Sequence, residues 1–253
     1  MKKVAENQDR GQKERCNYVY EQSVRVIIRR KNGKPARDET TRYIVAPEAK
    51  ATKRTETSVF GSYWKKGRKI DFQGEPVPEA GSIDGSLAHA FRDTINDDSK
   101  DGLGKDLFPL TTEDQKDLAF QLEGEEIVSG RKAYRIKFGP ADRHEISWAG
   151  EALIDELELQ PVSVYTRLSR KLPLAIRTLL GTDLPGLGFN TQYTRVDKDI
   201  WFPVSFGTEF RLRAVFFLNR IISVSMESKN FRRASVTSGI KYQGDSSSRS
   251  NPR

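Results

Sequence analysis

Apolar and polar residues alternate with a period of two at the start of the chain. Over Asn17–Arg30, Tyr18, Tyr20, Val24, Val26 and Ile28 share one face, and Glu21, Ser23, Arg25 and Arg29 share the other. That is the pattern of a half-buried strand. Asn32-Gly33 supplies a turn dipeptide that tolerates positive φ, and Thr40–Ala46 reads as the return strand, ended by Pro47. Thr52–Tyr63 is a β-branched strand candidate. The pattern returns in the second half. Strands are predicted at Leu118–Leu122, Ala133–Phe138, Ile146–Ala149, Glu151–Asp155, Pro161–Leu168, Phe189–Val196, Trp201–Arg213, Val215–Leu218 and Ile221–Phe231. Tyr134, Ile136 and Phe138 face one way there, Arg135 and Lys137 the other. Acidic turns at Asp155–Glu158 and Asp197-Lys198-Asp199, and a break at Asn219-Arg220, punctuate the run. The expectation is an antiparallel meander.

Two stretches depart from this period. Residues 71–116 open with Pro76, Pro78 and several glycines, which mark a loop. Ile83–Asn96 then places Leu87, Phe91 and Ile95 at i, i+4 and i+8, one face of a short helix. Thr112-Glu113-Asp114 has the look of a helix N-cap with acids in the first turn. The second stretch is Leu172–Leu187, dense in leucine, read as a short helix opened by Pro173 and stopped by Gly181. It is either ordinary core plugging the sheet or a lid over an apolar cavity. Helix is therefore expected mainly within 71–116 and 172–184. Met1–Arg15 is charged and reads as disordered or a frayed helix, and Ser238–Arg253 as a disordered Ser/Gly/Arg tail.

The 253 residues can bury a sizeable core. Mean hydropathy is −0.65, polar for a globular chain, as strands with one wet face allow. The net charge of +8 is unevenly spread: Met1–Ile70 holds 19 Lys and Arg against 8 Asp and Glu, and Asp71–Glu126 holds 4 against 15. Such basic ends can meet anionic lipid, nucleic acid or an acidic partner. The single cysteine, Cys16, excludes an internal disulfide, and Lys13-Glu14-Arg15 before it do not form a lipidation site. Met1–Arg15 has no hydrophobic signal core, which leaves a cytoplasmic protein or a chain without its true N-terminus.

Candidate chemistry is sparse. Asp97-x-Ser99-x-Asp101-Gly102 resembles the opening of a calcium loop, but Phe108 stands where a bidentate carboxylate is required. His89 and His144 lack the spacing of a transition-metal site, and no G-x-S-x-G, Walker or G-x-G-x-x-G motif occurs. Neither a metal nor a cofactor is expected. Asp155, Glu156 and Glu158 read as solvated, unpaired turn residues. The basic first hairpin (Arg25, Arg29, Arg30, Lys31, Lys34, Arg37) lacks the exposed aromatics of single-strand binders. Nucleic acid is therefore not expected as a partner, and an anionic membrane surface stays open.

Several segments, in order, resemble bacterial outer-membrane lipoprotein-sorting-like proteins of the LolA/LolB group. They are Asn17–Val24, Phe108–Asp114, Gly150–Val164, Tyr193–Val204 and the closing strand to Phe231-Arg232-Arg233. The resemblance implies a mainly β fold: a strongly curved antiparallel sheet, an incomplete barrel, with a few short helices on its concave face. It also implies a periplasmic protein that binds acyl chains without catalysis. The acidic insert Asp71–Asp106 has no counterpart in it.

The resulting expectation is a flexible segment at 1–16, a half-barrel domain at 17–233 and a disordered tail at 234–253. The protein is expected to be non-enzymatic and monomeric, with a lipid or lipoprotein acyl chain as partner. Tyr18, Tyr20, Val24, Val26, Tyr134, Ile136, Phe138, Trp201, Phe206 and Phe210 would line an apolar groove. Leu174, Ile176, Leu179 and Leu180 would form its lid. The alternative is an envelope interaction or scaffold protein of the same fold, with a filled interior and no ligand.

Overall fold

The alternation that opens the chain becomes β1 (Tyr18–Arg30), whose residues are buried and open in turn along most of its length. The computed structural model describes residues 1–47, 52–74, 82–96, 110–142, 148–168, 182–183, 188–198, 200–214 and 218–234. After β1 come β2 (Pro35–Pro47), β3 (Thr52–Lys65) and β4 (Arg68–Gln73). The second half supplies β5 (Leu118–Val128), β6 (Arg131–Pro140), β7 (Trp148–Asp155), β8 (Pro161–Leu168), β9 (Thr182–Asp183), β10 (Gly188–Asp197), β11 (Ile200–Ala214) and β12 (Leu218–Arg233). All pairings are antiparallel, in the order β4-β3-β2-β1-β12-β11-β10-β8-β7-β6-β5, with β9 attached to β11. The protein is mainly β: one curved sheet, open between its β4 and β5 edges, with helices α1 (Lys2–Arg15) and α2 (Ile83–Asn96) packed on it.

Each half is a run of neighbouring hairpins. The two halves are joined by the first and last long strands, β1 and β12, from Tyr18↔Arg233 to Arg30↔Arg220. Asn32-Gly33 turns the first hairpin, with Gly33 at φ 78°. Near the far end Asn230, at φ 58°, sits at the irregularity opposite Val19–Glu21. There β12 and β11 part company, since their pairing stops at Ser205 while β1 follows β12 to Arg233. Phe202 fills the split with Tyr18, Tyr20, Val45 and Phe231.

The structure differs from the sequence expectation in several places. Lys2–Arg15 is a packed helix, not a flexible start. Its inner face is Val4, Ala5, Asn7, Gln8, Gly11 and Arg15, a helical spacing in which half the buried positions are polar, so apolar periodicity hides it. Arg68–Gln73 is a strand, and its last three residues fall where a loop is expected. Lys66 (φ 48°) and Gly67 (φ 81°) turn the chain back, and the charged edge strand lacks a dense apolar face. Asn219-Arg220 lies inside β12, paired with Arg213 and Leu212, and is no break. Trp148–Asp155 is one strand rather than two. Asp114–Asp117 forms one 3-10 turn. The calcium-like loop at 97–106, His144, the apolar insertion apart from Thr182–Asp183, and the C-terminal tail after Ala234 lie outside the described residues.

Candidate functional site: the concave face

Strand register places the apolar rows of the concave face. Thr41, Val24, Met226 and Phe206 align across β2, β1, β12 and β11, as do Glu39, Val26, Val224 and Thr208, and Arg37, Ile28, Ile222 and Phe210. Leu87, Ala88 and Phe91 of α2 pack onto these rows, with the Phe91 and Phe210 rings edge to face at 5.6 Å. The Phe206 row continues through Thr191, Val164, Ala152 and Ile136 into the second half of the sheet. There Val4 of α1 and Leu110 join Ile136, Phe138, Ile154, Val164, Tyr193 and Trp201 in a second core cluster.

The ten residues expected to line one groove are thus divided among three clusters. Val24, Val26, Phe206 and Phe210 lie under α2. Ile136, Phe138 and Trp201 lie in the cluster that α1 joins, with Tyr134 half-buried at its margin. Tyr18 and Tyr20 pack around Phe202 at the split. All but Tyr134 are no more than 9% exposed. The lid positions Leu174, Ile176, Leu179 and Leu180 lie outside the described residues.

Between the regions covered by α1 and α2 runs a strip of half-buried aromatics that the sequence reading did not single out. Trp148 on β7 meets Phe189 on β10 at 5.2 Å, and Phe189 stacks on Phe206 of β11 at 5.4 Å. Phe189 and Leu212 pack against the α2-side core while remaining partly open. Residues that stand half-open beside buried neighbours carry no periodicity signal of their own. Trp148 opens β7 and Phe189 is the second residue of β10, where alternation has only begun.

Charge is buried on the same face. Arg37 donates from Nε and Nη2 to Glu39 Oε2, at 2.9 and 2.6 Å, and both side chains are less than a tenth exposed. Arg92 of α2, equally buried, stands 3.7 Å from Glu39 and 3.9 Å from Glu56. Its Nη1 has no hydrogen-bond partner, so its attraction to these two carboxylates is Coulombic. Arg37 also lies over the Phe72 ring at 5.0 Å. Asp84, in the first turn of α2, receives Arg220 Nε at 2.6 Å. Ion pairs thus tie α2 to β2 and β12.

A second polar cluster anchors α1 and overturns the expectation that Asp155, Glu156 and Glu158 are unpaired. Asp155 is buried; it accepts from Arg131 Nε at 2.5 Å and from the backbone N–H groups of Leu157 and Glu158. Glu158 accepts from Arg131, Arg195 and the Trp201 indole N–H. Glu156 accepts from the Tyr134 hydroxyl. Burial alone would raise the Asp155 and Glu158 pKa values. The Arg131 bond and backbone donors outweigh it for Asp155, and the Trp201 and arginine contacts do so for Glu158, so both sit below the ordinary range. Asn7 and Gln8 of α1 reach the same turn, bonding the Glu158 and Leu159 carbonyls and the Gln160 side chain. At the split, burial and the hydrogen bond to Asp197 push the Tyr18 hydroxyl up to about 12.

Among the described residues no group of three or more His, Cys, Asp or Glu is placed to hold a metal ion. The Cys16 thiol is half-buried and bonds the Gln12 carbonyl at 3.4 Å. No described helix is long and apolar enough to cross a membrane.

No family model matches the chain. No curated protein matches it. Solved structures do match along nearly the whole length. One is a domain named as an outer membrane lipoprotein-sorting protein from Vibrio parahaemolyticus, at 12% identity, covering 91% of this chain and 92% of that one, TM-score 0.39. A DUF1329 family protein from Desulfovibrio piger has 12% identity, 93% and 92% coverage and TM-score 0.38. A LolA superfamily protein from Nitrosomonas europaea has 7% identity, 92% and 94% coverage and TM-score 0.35. They include the group that the sequence motifs resemble.

Proposed function

We propose that the protein is a non-catalytic envelope protein, periplasmic, that holds the apolar chain of a lipid or lipoprotein against the concave face. The observation that carries this reading is the half-buried strip Trp148–Phe189 with Leu212, continuous with the buried Phe206 and Phe210. An alkyl chain laid there leaves water at about 0.8 kcal/mol per CH₂. The flanking helices bound the strip, and binding of this kind needs no covalent step.

The test is titration with a fluorescent fatty acid, together with native mass spectrometry of the purified protein. Wild type should bind, and Phe189→Asp should weaken binding at least about tenfold, because a carboxylate cannot be desolvated against the chain. Its circular dichroism should stay that of a folded sheet. A folded variant with unchanged affinity would remove the strip from the site.

A second reading has its own support. Nine of the ten groove positions are already covered by the chain's own side chains. If wild type carries no lipid and binds no fatty acid, the protein is an envelope interaction or scaffold protein with a filled interior.

A further inference from the structure

The concave face changes character at one end. Ile28, Ile222 and Phe210 form the last apolar row. One strand repeat further, about 7 Å away, the row is Arg30, Arg220 and Leu212. Arg30 and Arg220 are direct cross-strand partners, and like charges in that position repel. Arg220 is relieved by Asp84. Arg30 and the adjoining Lys31, both exposed, form no ion pair among the described residues. Together with Asn32 and Asn219 these three cations line a notch of about 500 Å³. The surroundings reinforce the sign. Lys34 and Arg211 stand at the same end without ion pairs among the described residues, Arg213 lies cross-strand from Asp183, and Arg29 is balanced by Glu209.

We infer that this notch is an anion site that takes the phosphate or carboxylate head group of the amphiphile whose chain lies on the concave face. The inference rests on the proposed function for its apolar half only. With Arg220 already held by Asp84, the uncompensated charge of the unliganded notch is that of Arg30 and Lys31, and an anion between them removes it. Leu212, the cross-strand partner of Arg220, packs against the same α2-side core as Phe189, so head and tail of one molecule can be held together. A neutral amphiphile would engage the strip but leave Arg30 and Lys31 unrelieved.

The experiment compares three probes on the full chain by calorimetry: dodecyl phosphate, dodecanol and inorganic phosphate. The double variant Arg30→Gln with Lys31→Gln is measured alongside. Both residues are exposed in a hairpin end, so the variant should keep its fold, checked by circular dichroism. The expected result is that wild type prefers dodecyl phosphate over dodecanol by about tenfold or more, and that the variant loses this preference while still binding dodecanol. Equal affinity for both amphiphiles, unchanged in the variant, would overturn the anion site and leave the apolar-chain reading standing. Phosphate binding lost in the variant, with neither amphiphile bound, would keep the anion site and overturn the apolar-chain reading. No binding of any probe would overturn both.

Discussion

The attachment of α2 to the sheet is tested by Glu39→Gln. Glu39 faces two guanidiniums at once, Arg37 through two charge-assisted hydrogen bonds and Arg92 at 3.7 Å. Replacing it leaves both cations buried with one partly exposed carboxylate, Glu56, near Arg92. Breaking a buried pair by removing one partner costs about 3–5 kcal/mol. Glutamine can still accept one bond from Arg37, and Glu56 still screens Arg92, so the lower end applies, about 3 kcal/mol. With a urea dependence of about 2 kcal/mol/M, the unfolding midpoint should fall by about 1.5 M. Tryptophan fluorescence follows the transition. Because the pair is buried, the loss should change little with added salt. The triple variant Arg37→Met, Glu39→Leu and Arg92→Met removes all three buried charges, and it should recover most of the stability, since an apolar replacement of a buried pair or triad is often neutral. A loss below about 1 kcal/mol in Glu39→Gln would refute the reasoning, and so would a triple variant as unstable as the single one.

Other expectations follow from particular contacts. Asp155 and Glu158 have lowered folded pKa values, so the stability they contribute is complete above the ordinary carboxylate range. That stability should fall away as pH drops through their folded values, and Asp155→Asn should flatten this acid limb in urea titrations at successive pH values. The Tyr18 hydroxyl should ionise only near pH 12 in ultraviolet titration, and a tyrosine titration complete by about pH 11.5 would contradict its burial. Gly150→Ala should cost about 2–3 kcal/mol, because a methyl there meets the Tyr165 carbonyl oxygen and the Phe138 ring below contact distance; a neutral effect on the melting temperature would mean that β7 and β8 can part cheaply.

Strand positions and faces were legible because alternation is a local signal. Tyr18, Val24, Val26, Ile136 and Phe138 are buried as their parity demands. The pairing of β1 with β12 was not legible, since the partners lie about two hundred residues apart and either could have formed an edge. Trp201 and Phe202 show a further limit. An irregularity at the β10–β11 pairing, between Gln192 and Tyr193, shifts the alternation of β11, so Trp201 packs with Val164 and Ile136 of the Phe206 row, while Phe202, which has the parity of Phe206, packs at the split. The carboxylates of the β7–β8 turn were misread because turn composition does not reveal that Arg131 and Arg195 arrive from neighbouring strands.

Alternation specifies which side chains face inward; it does not specify what covers them. Whether an inward face is a groove or a core depends on the elements laid over it, and α1 is the case in point. Its buried side includes Asn7, Gln8 and Arg15, which bond turn carbonyls, the Gln160 side chain and the Trp201 carbonyl. Such a helix is docked by polar satisfaction as much as by apolar area, and no hydrophobic pattern announces it. α2 is docked by Ala88, Phe91 and two sets of ion pairs, Arg92 with Glu39 and Arg220 with Asp84. Between these two helices the strip at Trp148 and Phe189 stays partly open, beside an apolar floor that ends at Arg30 and Arg220. The side chains that separate an apolar chain carrier from a filled scaffold are therefore the half-buried ones of the strip. The fully buried ones hold the sheet together under either function, so their loss reports on folding, while Phe189→Asp reports on binding.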